Sequence, residues 1–503
     1  MLSVLVWGPV VGAVLVAFLP ESLVGRGRSL ALAVAVALFG WTLVLAVQVD
    51  PTQVGSSFEE SVPWLSNLGL SYHLALDGLS LPLVFLNSLL TVVAIYSTNR
   101  AIERPRFFYS LVLLLAAGTV GAFLAMDLLL FFLFYEVELL PLYLLIAIWG
   151  GVRRAYAATK FLMYTALSGV LILASFLGLV WFSGAQSFDY EVARSVGLPL
   201  GIQIALLVVL LIGFGIKIPL FPLHTWLPDA HVEASTPVSV LLAGVLLKLG
   251  TYGLLRFGVG LFPDAWATLA PGLAIWAAVS ALFGALAAIS QQDMKRVVAY
   301  SSIAHMAYIM LAAAAATPLS LTAAVAQMVS HGLISALLFL AVGVVGKKTG
   351  TRDVNVLRGL LNPECGLPIV GSLTIVGAMA SAGIPGMVGF VAEFLVFRSS
   401  FSAFPVATLL CMVGTGLTAV YFLLMINRVF FGRLPEQFAE LPPVPWSDRV
   451  PAIALAVAIV VLGIQPNWLL RWSESQTAVL YRPVAAVQAS PSLSAATAGP
   501  VAN

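Results

Sequence analysis

A chain of 503 residues with 61% hydrophobic and only 9% charged residues has too little polar surface to coat a water-soluble globule, so it reads as an integral membrane protein. The net charge of +2, with no basic cluster interleaved with aromatics, argues against a nucleic acid partner. No CxxC pair, GxGxxG loop or P-loop is present, and Cys365 and Cys411 read as small buried hydrophobes, so no redox centre or nucleotide site is expected on this chain.

At about 20 apolar residues per crossing, the chain order gives about fourteen helices, centred near Val10, Val36, Val84, Leu114, Leu139, Ile172, Leu210, Ala243, Ala278, Met306, Leu333, Gly377, Leu417 and Ala456. The expected fold class is all-α. The first helix follows Met1-Leu2-Ser3 with no basic flank, which marks a retained anchor, not a signal peptide. Residues 1–107 then hold three helices and, from Val49 to Gly69, a polar surface loop with Asp50, Glu59 and Glu60. A proline-rich link around Pro435 and Pro442-Pro443 precedes the last helix within 433–482, and the Ala/Ser/Pro tail 483–503 reads as disordered.

Two helix breaks, Gly215-Ile216-Lys217-Ile218-Pro219 and Gly383-Ile384-Pro385-Gly386, stand 166 residues apart at Pro219 and Pro385. Each falls in the fourth helix of a five-helix block, 108–258 and 259–432, and an odd number of helices gives the second block inverted topology. Taken singly, a Pro/Gly break is as often structural as functional. Of the 24 Lys and Arg residues, seventeen fall on one side of this layout, Arg26, Arg153, Lys295, Lys347 and Arg352 among them. Five, including Arg194, Arg256 and Arg471, fall on the other. By the positive-inside rule both termini lie on the outer or lumenal face.

Glu136, Lys217, Lys248 and Glu393 lie inside these apolar stretches. At about 2.5–3.5 kcal/mol each in mid-bilayer, such charges face protein or water and mark an ion path by default. Glu136 and Glu138 are 200° apart at about 100° per residue, on opposite faces of one helix, so only one belongs to the main path; either alternatively forms a structural ion pair. Pro219 frees a carbonyl about one turn earlier, offering Lys217 a polar partner; the bland alternative is snorkelling to the interface. Burial favours a neutral amine and a nearby carboxylate favours the ammonium, so a lysine facing a movable glutamate is a switchable proton site. Lys248 with Thr251 and Tyr252, His305 with Ser301 and Tyr308, and His331 with Gln327 and Ser335 form narrow polar stripes suited to a water chain. For either histidine alone, a satisfied interhelical hydrogen bond is the commoner explanation. His224 and His231, seven apart across Pro228, do not form a regular metal-binding face.

The run from Ile216-Lys217-Ile218-Pro219 through His224-Thr225-Trp226-Leu227-Pro228-Asp229-Ala230-His231, with Gln292-Asp293-Met294-Lys295-Arg296 to His305 and Gly389-Phe390-Val391-Ala392-Glu393-Phe394, resembles the antiporter-like proton-channel subunits of complex I. Those subunits have relatives in Mrp cation/proton antiporters and membrane-bound hydrogenases. The likeness covers roughly residues 75 to 435, and Tyr135-Glu136-Val137-Glu138 to Tyr143 is most similar to the cyanobacterial and plastid form of chain 4 (the NuoM/NdhD branch).

The resemblance implies a proton-translocating membrane-arm subunit of a complex I-like NAD(P)H/ferredoxin:plastoquinone oxidoreductase, in a thylakoid or plasma membrane. Iron-sulfur clusters and plastoquinone would sit on partner subunits, with no cofactor on this chain. The short amino terminus is closer to the subtype serving carbon dioxide uptake. The alternative is an Mrp-type antiporter subunit, and a blander one is a scaffold filling the membrane arm. By the family pattern Glu136, five before Pro141, pairs with Lys217; Lys248 bridges; His305 and His331 are central; and Glu393 is the exit group, where other relatives use lysine. The implied order runs from Lys217 by Lys248, His305 and His331 to Glu393.

Overall fold

The computed structural model describes residues 1–363, 367–441 and 443–480. Cys365 and the tail 483–503 lie outside them. The apolar runs fold as helices because no water is available to their backbones in lipid and a helix satisfies its own amides. In chain order they are α1 (Leu2–Ala17), α2 (Gly27–Gln48), α3 (Leu81–Ser97), α4 (Pro105–Leu124), α5 (Leu128–Val137), α6 (Leu139–Trp149) and α7 (Arg154–Ser183). The short α8 (Tyr190–Ser195) leads to α9 (Leu200–Lys217), α10 (Trp226–Glu233), α11 (Thr236–Leu241), α12 (Leu247–Gly253), α13 (Pro263–Ile289), α14 (Met294–Ala315) and α15 (Pro318–Thr349). The remainder is α16 (Pro368–Ser381), α17 (Val388–Phe401), α18 (Pro405–Phe430), α19 (Trp446–Ile464) and α20 (Asn467–Leu480).

Each of the fourteen expected centres falls within a helical stretch. Among the described residues 11 helical stretches are long and apolar enough to cross a membrane; α1, α3 and α16 are apolar but shorter. Burial sorts them. The stretch Thr236–Val259 is 100% buried in its most apolar window and that of α19 only 22%, so charges carried by the former face protein.

The chain is mostly helical, not all-helical. The expected loop instead forms strand β1 (Phe58–Leu65), which pairs antiparallel with β2 (Leu70–Leu76), Ser61 opposite His73. Gly69 turns between them at φ 68°, so close to the Gln186 carbonyl that a Cβ would stand 2.3 Å from it. Alternation at Ser71, Tyr72 and His73 was hidden by the acidic residues of the first strand. A second addition is α20, read from sequence as part of the last span's trailing segment.

Both breaks are present. α9 ends at Lys217, and the carbonyls its Pro219 leaves behind are taken up by Leu220 N at Gly215 (3.0 Å) and by Trp226 Nε1 at Ile216 (2.8 Å). From α13, Trp276 Nε1 donates to Phe221 O at 2.5 Å and Ser280 Oγ accepts from Phe221 N at 3.1 Å, which pins the turn. The second break, between α16 and α17, turns at Gly383 (φ 72°) and Gly386 (φ 90°).

Candidate functional site

Lys217, buried at the end of α9, pairs with Glu138, and both side chains are fully enclosed. This corrects the expected pairing with Glu136. α5 ends at Val137 and α6 starts at Leu139, so Glu138 occupies the joint between them and its backbone packs on Gly118 of α4, where a Cβ would stand 3.0 Å from Glu138 N. Glu136 points instead at Gly169 of α7, where a Cβ would fall 1.8 Å from its Oε1. The expected opposite faces assumed one helix through both glutamates, but α5 ends between them, and the one nearer Pro141 holds the lysine.

Tyr135 completes this end. Its ring lies 4.6 Å from Lys217 Nζ, and its hydroxyl meets Ser168 Oγ at 2.7 Å. Ser168 spends its own proton on Gly213 O at 2.7 Å, so Tyr135 is the donor to Ser168. One hydrogen-bonded line thus ties α5 and α7 to α9 beside the lysine.

Lys248 sits in α12 between two π-helical turns, Leu242–Leu246 and Leu254–Val259. A π turn leaves carbonyls out of the usual ladder, and Lys248 Nζ donates to one, Ala243 O, at 2.5 Å. The same ammonium stands 2.8 Å from His331 Nδ1. Two residues beyond Lys248, Gly250 lets the Lys217 stem press against α12, its virtual Cβ 3.1 Å from Lys217 Cβ. Thr251 and Tyr252, expected on the Lys248 stripe, bond elsewhere, to Lys248 O and Arg256 Nε.

His331 and His305 face each other with ring centroids 5.9 Å apart. His305 Nδ1 lies 3.1 Å from Glu393 Oε1, and its Nε2 lies 2.9 Å from Ser381 Oγ, the last residue before the second break. The spatial order is therefore Glu138, Lys217, Lys248, His331, His305, Glu393. This corrects the expected sequence, in which His305 came before His331.

Along this row Glu136 Oε1, Glu138 Oε2, His331 Nε2 and Glu393 Oε2 are buried without a protein hydrogen-bond partner among the described residues. A buried polar atom left unmet costs about 1–3 kcal/mol, so the row suits water and mobile protons. A cavity of about 830 Å³ opens elsewhere, among Gly150, Glu233, Lys295 and Arg352, and none of the six expected residues lines it. No cluster of three metal-ligating side chains occurs among the described residues.

Sequence reasoning missed a second buried pair. Arg256, counted with the five basic residues of the outer side, is 1% exposed and meets Asp77 Oδ2 at 2.5 Å, its guanidinium 5.3 Å from the Tyr252 ring centroid and 5.6 Å from that of Tyr190. Lys295, counted with the seventeen basic residues of the opposite side, is buried and donates to Ala234 O at 2.5 Å. Their neighbourhood of Tyr252, Phe257 and Val297-Val298 was the available signal.

A polytopic helical membrane protein with two broken helices and a row of enclosed ionisable groups is built as an ion-translocating subunit. The chain belongs to the NADH:quinone oxidoreductase/Mrp antiporter transmembrane family, whose model matches residues 125–418. It is 42% identical over 483 residues to the NAD(P)H-quinone oxidoreductase chain 4 1 of a Synechococcus species, covering 92% of this chain and 89% of that one. With the chain 4 2 of Thermosynechococcus vestitus it shares 39% identity, covering 96% and 92%. Among solved structures it resembles a chain of respiratory complex I from Thermus thermophilus (TM-score 0.87, 27% identity, covering 96% and 100%). It also resembles a chain of the Mrp complex from a Dietzia species (TM-score 0.84, 25% identity, covering 97% and 98%).

Proposed function

We propose that this chain is the chain 4, proton-translocating subunit in the membrane arm of a complex I-like NAD(P)H- or ferredoxin-linked quinone oxidoreductase. Iron-sulfur and quinone chemistry then resides on partner subunits. The observation that carries the reading is the row of three enclosed pairs, Glu138–Lys217, Lys248–His331 and His305–Glu393, with a lysine from the first break at one end and Ser381 from the second near the other. Identity of about 40% to cyanobacterial chain 4 proteins over nearly the whole chain supports it, with a thylakoid or plasma membrane setting. The antiporter alternative rests on a likeness at 25% identity and has less behind it. In this reading the chain crosses the membrane fourteen times, ten of the crossings forming two inverted five-helix repeats, 108–258 and 259–432, with both termini outside.

Catalysis here is control of where a proton rests. With Glu138 against it, Lys217 keeps its proton. When a rearrangement spreading from the redox site opens the α5–α6 joint, the ammonium is left buried without its counter-charge, a state several kcal/mol uphill. Lys248 passes a proton to His331 and is refilled from Lys217 across water, and the relay continues from His331 across water to His305 and on to Glu393, while Glu136 supplies a second carboxylate on the α7 side. Replacing Lys217 with Ala in an assembled complex should abolish most proton transfer per electron. An unchanged yield would refute the role, and co-purifying hydrophilic iron-sulfur subunits would separate the redox pump from an antiporter.

A further inference from the structure

His73 lies in β2, only 7% exposed. Its Nδ1 stands 2.5 Å from Asp189 Oδ2 and its Nε2 2.8 Å from Glu59 Oε1. A neutral imidazole offers one donor and one acceptor, whereas an ionised carboxylate only accepts. Both contacts are therefore satisfied together only by the doubly protonated ring. Burial opposes that cation, but the hydrogen bond and charge of Asp189, with Glu59, outweigh it and raise the His73 pKa above its usual 6.5. Burial likewise opposes ionisation of Asp189, yet the bond to His73 holds its carboxyl below the ordinary range.

This cluster surrounds the start of α5. Met126 N donates to His73 O at 2.9 Å, Tyr190 N to Met126 O at 2.7 Å and Leu128 N to Phe188 O at 2.8 Å. Asp127, the cap of α5, accepts from Leu129 N and Leu130 N (both 3.0 Å) and from Ser71 N at 3.0 Å, so β2 and α5 share it. The ionisable groups around His73 are thus Glu59 from β1, Asp189 ahead of α8 and Asp127 from α5, with Glu191 next along α8. Glu60 turns away to Ser3, and Arg194 to the carbonyls of Val479 and Leu480. Doubly protonated, His73 is the cation that this acidic group closes on.

We propose that His73 is a positioning residue, whose imidazolium draws the hairpin and Asp189 together around the root of α5 and so keeps the α5–α6 joint in the register that seats Glu138 on Lys217. The inference rests on the proton-channel reading. Its sign follows from the raised affinity of His73 for its proton: the clamp is complete below the ordinary histidine range and is lost as pH on the hairpin face rises through the elevated value.

The test uses the intact complex in liposomes with the pH set separately on each side, reading protons moved per electron. Wild type should lose yield as the hairpin-side pH is raised from about 6 to about 9, the interval a raised histidine spans. His73→Gln should be low and flat across that interval. His73→Arg, a permanent cation with a forked set of donors, should be high and flat, and Asp189→Asn should shift the fall to lower pH. A Gln variant that titrates like wild type, or an Arg variant no better than Gln, overturns the proposal. Should Gln fail to assemble, hydrogen exchange at the Met126, Leu128 and Tyr190 amides of wild type decides. Protection, corrected for intrinsic rate, should fall over the same interval, and pH-independent protection overturns the clamp. A normal proton yield in Lys217→Ala would instead remove the channel reading and leave the exchange result standing.

Discussion

Glu138 owes its pairing to the joint where α5 gives way to α6, since a residue between two helices can turn a side chain that a continuous helix would direct elsewhere. Breaking an enclosed ion pair from one side costs about 3–5 kcal/mol. Glu138→Gln should therefore cut proton yield by at least about tenfold, equivalent to about 1.4 kcal/mol, whereas Glu136→Gln should change it by less than about twofold. Liposome proton-uptake assays on the two variants check this, and the reverse ranking would sink the assignment. That two carboxylates stand two residues apart within an apolar run was legible. Which of them holds Lys217 was not, because the choice depends on Gly118 and Gly169, whose missing side chains make room only once α4 and α7 are packed.

At the scale of elements, the first break is held by a tryptophan reaching back across it. Trp226→Phe keeps the ring contact with Phe161 (centroids 5.5 Å apart) and removes the donor to Ile216 O. Leaving that carbonyl unmet should cost about 1–3 kcal/mol, read as a lower midpoint for heat inactivation of proton transfer with little change in yield at 25 °C; an unaltered midpoint would show that the bond is dispensable. The breaks could be read from Pro219 and from Gly383-Ile384-Pro385-Gly386, since proline and glycine announce them locally. The π turns around Lys248 could not, because a single glycine in each of Leu242–Leu246 and Leu254–Val259 does not tell a π turn from an α turn, and the close approach of Leu90 to Gly244, within 2.2 Å of where a Cβ would stand, exists only once α3 is packed. The β1–β2 hairpin likewise emerged only from its docking beside α5.

For the molecule as a whole, Asp77 and Arg256 bind the start of α3 to the far end of the Thr236–Val259 stretch. Asp77→Asn would leave Arg256 enclosed without its counter-charge, about 3–5 kcal/mol less stable, and should lower the amount of assembled complex in membranes. Adding Arg256→Met should restore part of it, and assembly unaffected by Asp77→Asn would refute the structural role. The membrane class and the span centres were open to reading because composition and hydropathy are properties of the chain itself. The pairing of residues 77 and 256 was not, since it joins distant segments and Arg256 sits at the edge of an apolar run like any loop cation. The same stretch bears on how the protein is made. Two cations weigh against its spontaneous insertion at about 2.5–3.5 kcal/mol each, and they differ in when help arrives. Asp77 has already left the ribosome when Arg256 emerges, whereas His331 follows Lys248 by 83 residues. During synthesis the stretch is thus anchored first through its arginine, and the lysine waits unaccompanied until α15 has been delivered.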